Sequence, residues 1–259
     1  MSILRYSLVL LPLALLACQT VPITGRHQVL LMSTGEECKL GTDSYQDTMK
    51  KSKLSTDQAK IDLIRKVGQR IAKAADKPDF QWEFNLVEDD KQINAWCLPG
   101  GKVAFYTGIL PVTRDEGGIA VVMSHEVAHA LARHGAERMS QGMIVNLGGQ
   151  ALSVALKNKP AQTQEIFGQA YGLGVNMGVM LPYSRSHESE ADHIGLVLMA
   201  KAGYDPAQAV DFWKRMEAAT GGGGASGLAA YMSTHPANVK RVQQIQEWLP
   251  EVKAQYYRP

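Results

Sequence analysis

A mainly helical α+β fold is predicted for this 259-residue chain by three features. Apolar positions recur at helical steps in separate stretches, one segment alternates strictly, and a Pro-Gly-Gly turn joins two extended segments. The helical step is clearest at Ile61, Ile64, Val67 and Ile71, with Thr56 or Asp57 placed to cap the start. Phe80, Trp82, Phe84 and Leu86 alternate with Gln81, Glu83 and Asn85, the period of a half-buried strand. Ile93 to Leu98 and Lys102 to Thr107 flank Pro99-Gly100-Gly101, which places a small antiparallel sheet beside the helix that follows. Met143 to Leu156 and Ala170 to Leu181 are rich in small and apolar residues but are interrupted by Asn146, Gln150 and Asn176. Both fall short of the about 20 apolar residues a spanning helix needs, so a closely packed helical pair is expected. Asp205-Pro206 opens a further helix to about Ala219, Gly221 to Gly224 break it, and Pro236 begins a last amphipathic helix with Val239, Val242, Ile245 and Leu249.

The length suits one sizeable domain plus processing segments. Lys and Arg number 27 against 25 Asp and Glu, so no charge excess exists to hold a phosphate backbone, and nucleic acid is excluded as a partner. Arg5, the apolar run Leu8 to Leu16 and the small Ala17 read as an export signal. Leu15-Leu16-Ala17-Cys18 resembles the lipobox of bacterial lipoproteins, which makes Cys18 the lipidated residue and the lipid a membrane anchor. By the same resemblance, Gln19 points to the outer membrane and the periplasmic side of a bacterial cell envelope. The expected division is a signal peptide at 1–17, a lipid-anchored tether and lead-in at 18–54, and a catalytic domain at 55–259. Of the three cysteines, Cys38 and Cys97 then remain, either as a disulfide in an oxidising compartment or as two thiols.

The chemistry centres on His125-Glu126-Val127-Ala128-His129. On a helix, residues four apart share one face, so His125 and His129 can offer both imidazoles to one zinc ion. Val121, Val122, Ala128, Ala132 and Ala136 lie on that face and turn the histidines inward, where burial requires a partner. Glu126, beside the ion, is suited to take a proton from a zinc-bound water and pass it to the leaving amine. A third ligand is sought in Ser184 to Asp192, where Glu188 and Glu190 face opposite sides of a helix. The Glu188 face continues through Ala191, Gly195 and Leu198, the Glu190 face through His193 and Lys201, so Glu188 is the inward carboxylate and third ligand. Asp192, one turn on, is placed to accept the second ring N–H of a metal-bound histidine.

His125 to His129, Glu188 with Asp192 four later, and Asn94-Ala95 followed by Pro99-Gly100-Gly101 together resemble the CAAX prenyl endopeptidases, metallopeptidase family forty-eight. Within it the chain is most similar to the soluble bacterial lipoprotein or periplasmic branch, which is linked to envelope quality control. The resemblance implies a zincin-like metallopeptidase domain, a gluzincin with one zinc per chain, and cleavage of extended or misfolded envelope proteins. It also implies that Asn94 and Ala95 on the strand before the turn contact substrate. His235-Pro236 with Arg241 resembles a family motif that returns to the active site. There a neutral His235 would fill zinc's fourth place as a latch, the favoured role, or a protonated one would donate to the developing oxyanion. Two rival readings remain at this point: a chaperone or assembly factor for outer-membrane proteins that holds chains without cutting, and a zinc hydrolase of a non-peptide amide.

Overall fold

The structure, a computed structural model, describes residues 18–143, 184–221, 231, 235 and 240–258. The expected signal peptide, nearly all of the small-residue helical pair, the glycine break after Gly221 and the helix start at Pro236 lie outside the described residues. The described chain is mainly helical with small sheets, the class expected from the sequence. It forms two compact units, one of residues up to Thr34 with those from Arg133, the other of Gly35–Ala132 with the residues from 184 onward.

The first unit contains the described residues up to Thr34 and 133–143. Strands β1 (Cys18–Thr20) and β2 (His27–Val29) pair antiparallel, with Cys18 opposite Val29. Their turn closes through Val21 N–H to the Arg26 carbonyl at 2.8 Å. The hairpin is clipped to helical residues 134–143: Arg26 reaches both carboxylate oxygens of Glu137 at 2.9 and 2.7 Å, and the Leu31 N–H donates to Ser140 Oγ at 2.9 Å.

The second unit opens with α1 (Thr34–Lys51), an 18-residue helix in the stretch expected to be irregular or shortly helical. Its buried face is made by Glu37, Gly41 and Tyr45, which carry no apolar periodicity. Gly41 is required there because a Cβ would run into the Pro99 carbonyl, so the helix seats directly on the Pro-Gly-Gly turn. Helix α2 (Gln58–Ala75) follows the predicted pattern, with Ile64, Val67 and Ile71 buried and Asp57 accepting from the Lys60 N–H at 3.2 Å.

Strands β3 (Glu83–Val87), β4 (Ala95–Leu98) and β5 (Lys102–Tyr106) form a sheet of order β3-β5-β4. β4 and β5 are the expected antiparallel hairpin, with Cys97 opposite Val103, and β3 joins β5 in parallel, with Phe84 opposite the same Val103. A 3-10 turn (Thr107–Ile109) and a one-turn helix (Leu110–Thr113) lead into α3 (Glu116–Leu131), capped by Asp115, which accepts from the Gly118 N–H at 2.9 Å. Every residue of α3 from Gly117 to Leu131 is buried. Helices α4 (Arg185–Lys201), α5 (Gln208–Gly221) and α6 (Arg241–Tyr256) complete the unit, with α4 packed along α3. Gly195 sets that approach, since a Cβ on it would fall 3.3 Å from the His125 amide nitrogen. Among the described residues no helix is long and apolar enough to cross a membrane.

Candidate metal centre

Four side chains from α3, α4 and position 235 converge. His125 and His129 place their Nε2 atoms 3.2 Å apart. Glu188 faces both, with Oε2 3.4 Å from His125 Nε2 and Oε1 3.3 Å from His129 Nε2. His235 Nδ1 lies 3.1 Å from Glu188 Oε1 and 3.4 Å from His125 Nε2. One ligand-type atom from each of these four buried residues lies within 4.8 Å of the others. Glu188 thus stands where the helical-face reading put it. Glu190 is buried as well, so direction, not exposure, separates the two.

The centre is held from behind by charge. Asp192 Oδ1 lies 3.0 Å from His125 Nδ1, the contact expected of a carboxylate that fixes a metal-binding imidazole. Arg241 grips that carboxylate through Nε to Oδ2 at 2.5 Å and Nη2 to Oδ1 at 2.9 Å, and donates to Glu188 Oε2 at 3.1 Å. Its guanidinium lies 3.4 Å above the Trp213 ring, whose edge also meets His125. Burial pulls the His125 proton affinity down, yet hydrogen bonds to Asp192 and Glu188 outweigh it and push the imidazole up to about 9. Burial raises Glu188, but its hydrogen bonds to His125, His129 and His235 hold it well below the usual carboxylate range.

The donor set fits zinc. Imidazole nitrogens and a carboxylate oxygen are its ordinary ligands. The buried carboxylates of Glu188 and Asp192 share the single guanidinium of Arg241, so a cation held by the four ligand-type atoms meets negative charge.

Glu126 stands beside the cluster and not in it. Its Oε1 is 3.5 Å from His235 Nε2 and accepts from the Tyr231 hydroxyl at 3.4 Å. Burial pushes its carboxyl up, the direction that suits a group which must take and return a proton. Asn94 precedes and Ala95 begins β4: Asn94 Oδ1 accepts from the Ala95 N–H at 2.9 Å, and Ala95 is buried. No disulfide joins Cys38 to Cys97. Cys38 packs against Gly100 in the turn beyond β4, while the buried Cys97 thiol points to the Leu98 carbonyl at 3.6 Å. Trp213 and Tyr231 carry no sequence pattern that marks them for the site, although Tyr231 lies one helical turn before His235, the only local hint available.

The profile of peptidase family M48 matches residues 58–249. The mitochondrial metalloendopeptidase OMA1 of Schizosaccharomyces pombe is 36% identical over 236 residues, covering 90% of this chain and 67% of that protein. Its Saccharomyces cerevisiae counterpart is 30% identical over 251 residues, covering 91% and 70%. The beta-barrel assembly-enhancing protease of Escherichia coli is 25% identical over 209 residues, covering 77% of this chain and 41% of that protein. The placement in a bacterial envelope, anchored to the outer membrane through Cys18, is corrected by these likenesses, because the relatives matched over nine-tenths of the chain are mitochondrial. The misleading signal was a short apolar leader with one arginine and no acid, features that several targeting systems share. With that match running from α2 through the histidine and glutamate helices into α6, the chain belongs to peptidase family M48 and is a zinc metalloendopeptidase.

Proposed function

We propose that the chain cuts peptide bonds within extended segments of misfolded proteins in a mitochondrial setting, beside the OMA1-type members of its family and not the prenyl endopeptidases. The observation that carries this reading is the cluster of His125, His129, Glu188 and His235, with the Glu126 carboxylate next to it. His125, His129 and Glu188 hold the metal, Asp192 orients His125, and Arg241 fixes Asp192. Zinc, when bound, supplies a Lewis acid for the scissile carbonyl and lowers the pKa of water. Glu126 removes a proton from the attacking water at one carboxylate oxygen and returns it to the leaving nitrogen. Substrate adds to the outer edge of β4, which the order β3-β5-β4 leaves without a neighbour in its sheet, entering past Asn94 and Ala95. His235, within ligand distance of the other three, acts as a latch on the fourth place.

Metal analysis and cleavage of an unfolded protein, compared between wild type and Glu126→Gln, test the reading. One zinc per chain is expected in both, with turnover only in the wild type; ordinary turnover by Glu126→Gln overturns it. His235→Ala should keep zinc and cut faster, and a large loss of turnover would instead assign His235 to oxyanion stabilisation.

A further inference from the structure

Tyr231 is the largest fully buried side chain among the described residues, and three contacts define its place. Its ring lies nearly face-on to the His235 imidazole, with centroids 4.6 Å apart and planes at 23°. Its carbonyl accepts the His235 N–H at 2.9 Å, which fixes the two residues on one turn. Its hydroxyl donates to Glu126 Oε1 at 3.4 Å. His235 Nε2 approaches that same oxygen at 3.5 Å.

A glutamate's terminal torsion is broad and two-fold, so helix α3 fixes where the Glu126 carboxylate is but not which way it faces. A base that serves first the water and then the leaving nitrogen works only from a held geometry. We infer that Tyr231 is a positioning residue for Glu126: its hydroxyl anchors Oε1, so that Oε2 is the oxygen presented to the reacting atoms. The inference rests on Glu126 as the general base. It adds no ligand to the four-residue cluster, and it gives a role to a buried hydroxyl that metal binding leaves unexplained. The ring, through its stack on His235, supplies the rigidity that places the hydroxyl.

Tyr231→Phe keeps the ring and the stack and removes only the hydroxyl. Zinc content and KM should stay at wild-type values while kcat falls roughly ten- to hundredfold, the scale of a lost hydrogen bond to a charged group. A readout independent of turnover is the antisymmetric carboxylate stretch of Glu126 in metal-free protein, identified by its disappearance in Glu126→Gln. That band should shift in Tyr231→Phe, and shift in the opposite sense when 3-fluorotyrosine, a stronger donor of nearly the same size, replaces the tyrosine. The fluorinated protein keeps the test usable if the phenylalanine variant folds poorly. An unmoved band in both proteins, an unchanged kcat, or a change confined to KM overturns the inference. Turnover retained by Glu126→Gln would sink the general-base reading itself, whereas an inactive Glu126→Gln beside a fully active Tyr231→Phe would sink only the role of Tyr231.

Discussion

Helix α3 buries its site residues in an apolar rod, with Ser124, His125, Glu126 and His129 the only polar side chains between Gly117 and Leu131, whereas α4 buries His187, Glu188, Glu190 and Asp192 together in its first turns. With zinc bound the histidines of α3 are neutral ligands, so in that state packing can hold them in place. The carboxylates of α4 are charged, and a buried charge is tolerated only beside an opposite one. Arg241 brings that charge from α6, and zinc brings the rest. One ligand helix is therefore set by shape, the other by charge balance.

The largest effect that separates the two is on metal. Glu188→Gln should abolish or strongly weaken zinc binding, while Glu190→Gln, equally buried two positions away, should leave affinity unchanged. Asp192→Asn should fall between them, losing roughly ten- to a hundredfold in affinity as an outer partner of His125. Equilibrium dialysis against a chelator measures all three, and equal losses at 188 and 190 would remove the distinction between ligand and neighbour on α4.

A smaller effect sets the helices apart in stability. Arg241→Met removes the guanidinium that bridges Asp192 and Glu188 and should cost about 3–5 kcal/mol in metal-free protein. Val127→Ala on α3 should cost about 2 kcal/mol at every pH, since only packing is lost. Denaturant melts of the two variants check this, and a cost for Arg241→Met no larger than that of Val127→Ala would show α4 to be held by packing after all.

The smallest expected effect is a pH dependence confined to the metal-free protein. His125 rises from its ordinary 6.5 to about 9 in the folded chain, so its charge adds stability in full below pH 6.5, and that contribution is lost as pH rises through about 9. The melting temperature without zinc should fall over this window, while zinc affinity should rise, because the ligand imidazole must shed its proton to bind. Calorimetry with and without zinc reads both, and a flat melting temperature in the metal-free protein would contradict the protonated His125.

What could be read in advance follows the same division. The spacing of His125 and His129 is intrahelical, so the pattern itself placed both on one face, and the Asp57 cap and the steps of α2 were equally local. Glu188 was legible for the same reason. Arg241 was visible only as a residue of a family motif; its partner Asp192 lies 49 positions away, and no local period connects them. Helix α1 escaped because its buried face is made by Gly41 and Tyr45, which apolar periodicity does not register. The Pro-Gly-Gly turn announced the β4-β5 hairpin, but the parallel pairing of β3 is a property of the assembled sheet that alternation along one strand cannot express.

The reach of Arg241 also governs when the enzyme can come into being. The guanidinium that balances Asp192 and touches His125 is encoded 116 positions after that histidine. A chain made at the usual rate of about 5–20 residues per second has its zinc helix roughly ten seconds before the charge that stabilises the opposite ligand helix. During that interval α4 has no buried counter-charge, and the metal centre cannot close. The set of contacts around the cluster is therefore complete only when almost the whole domain has been made.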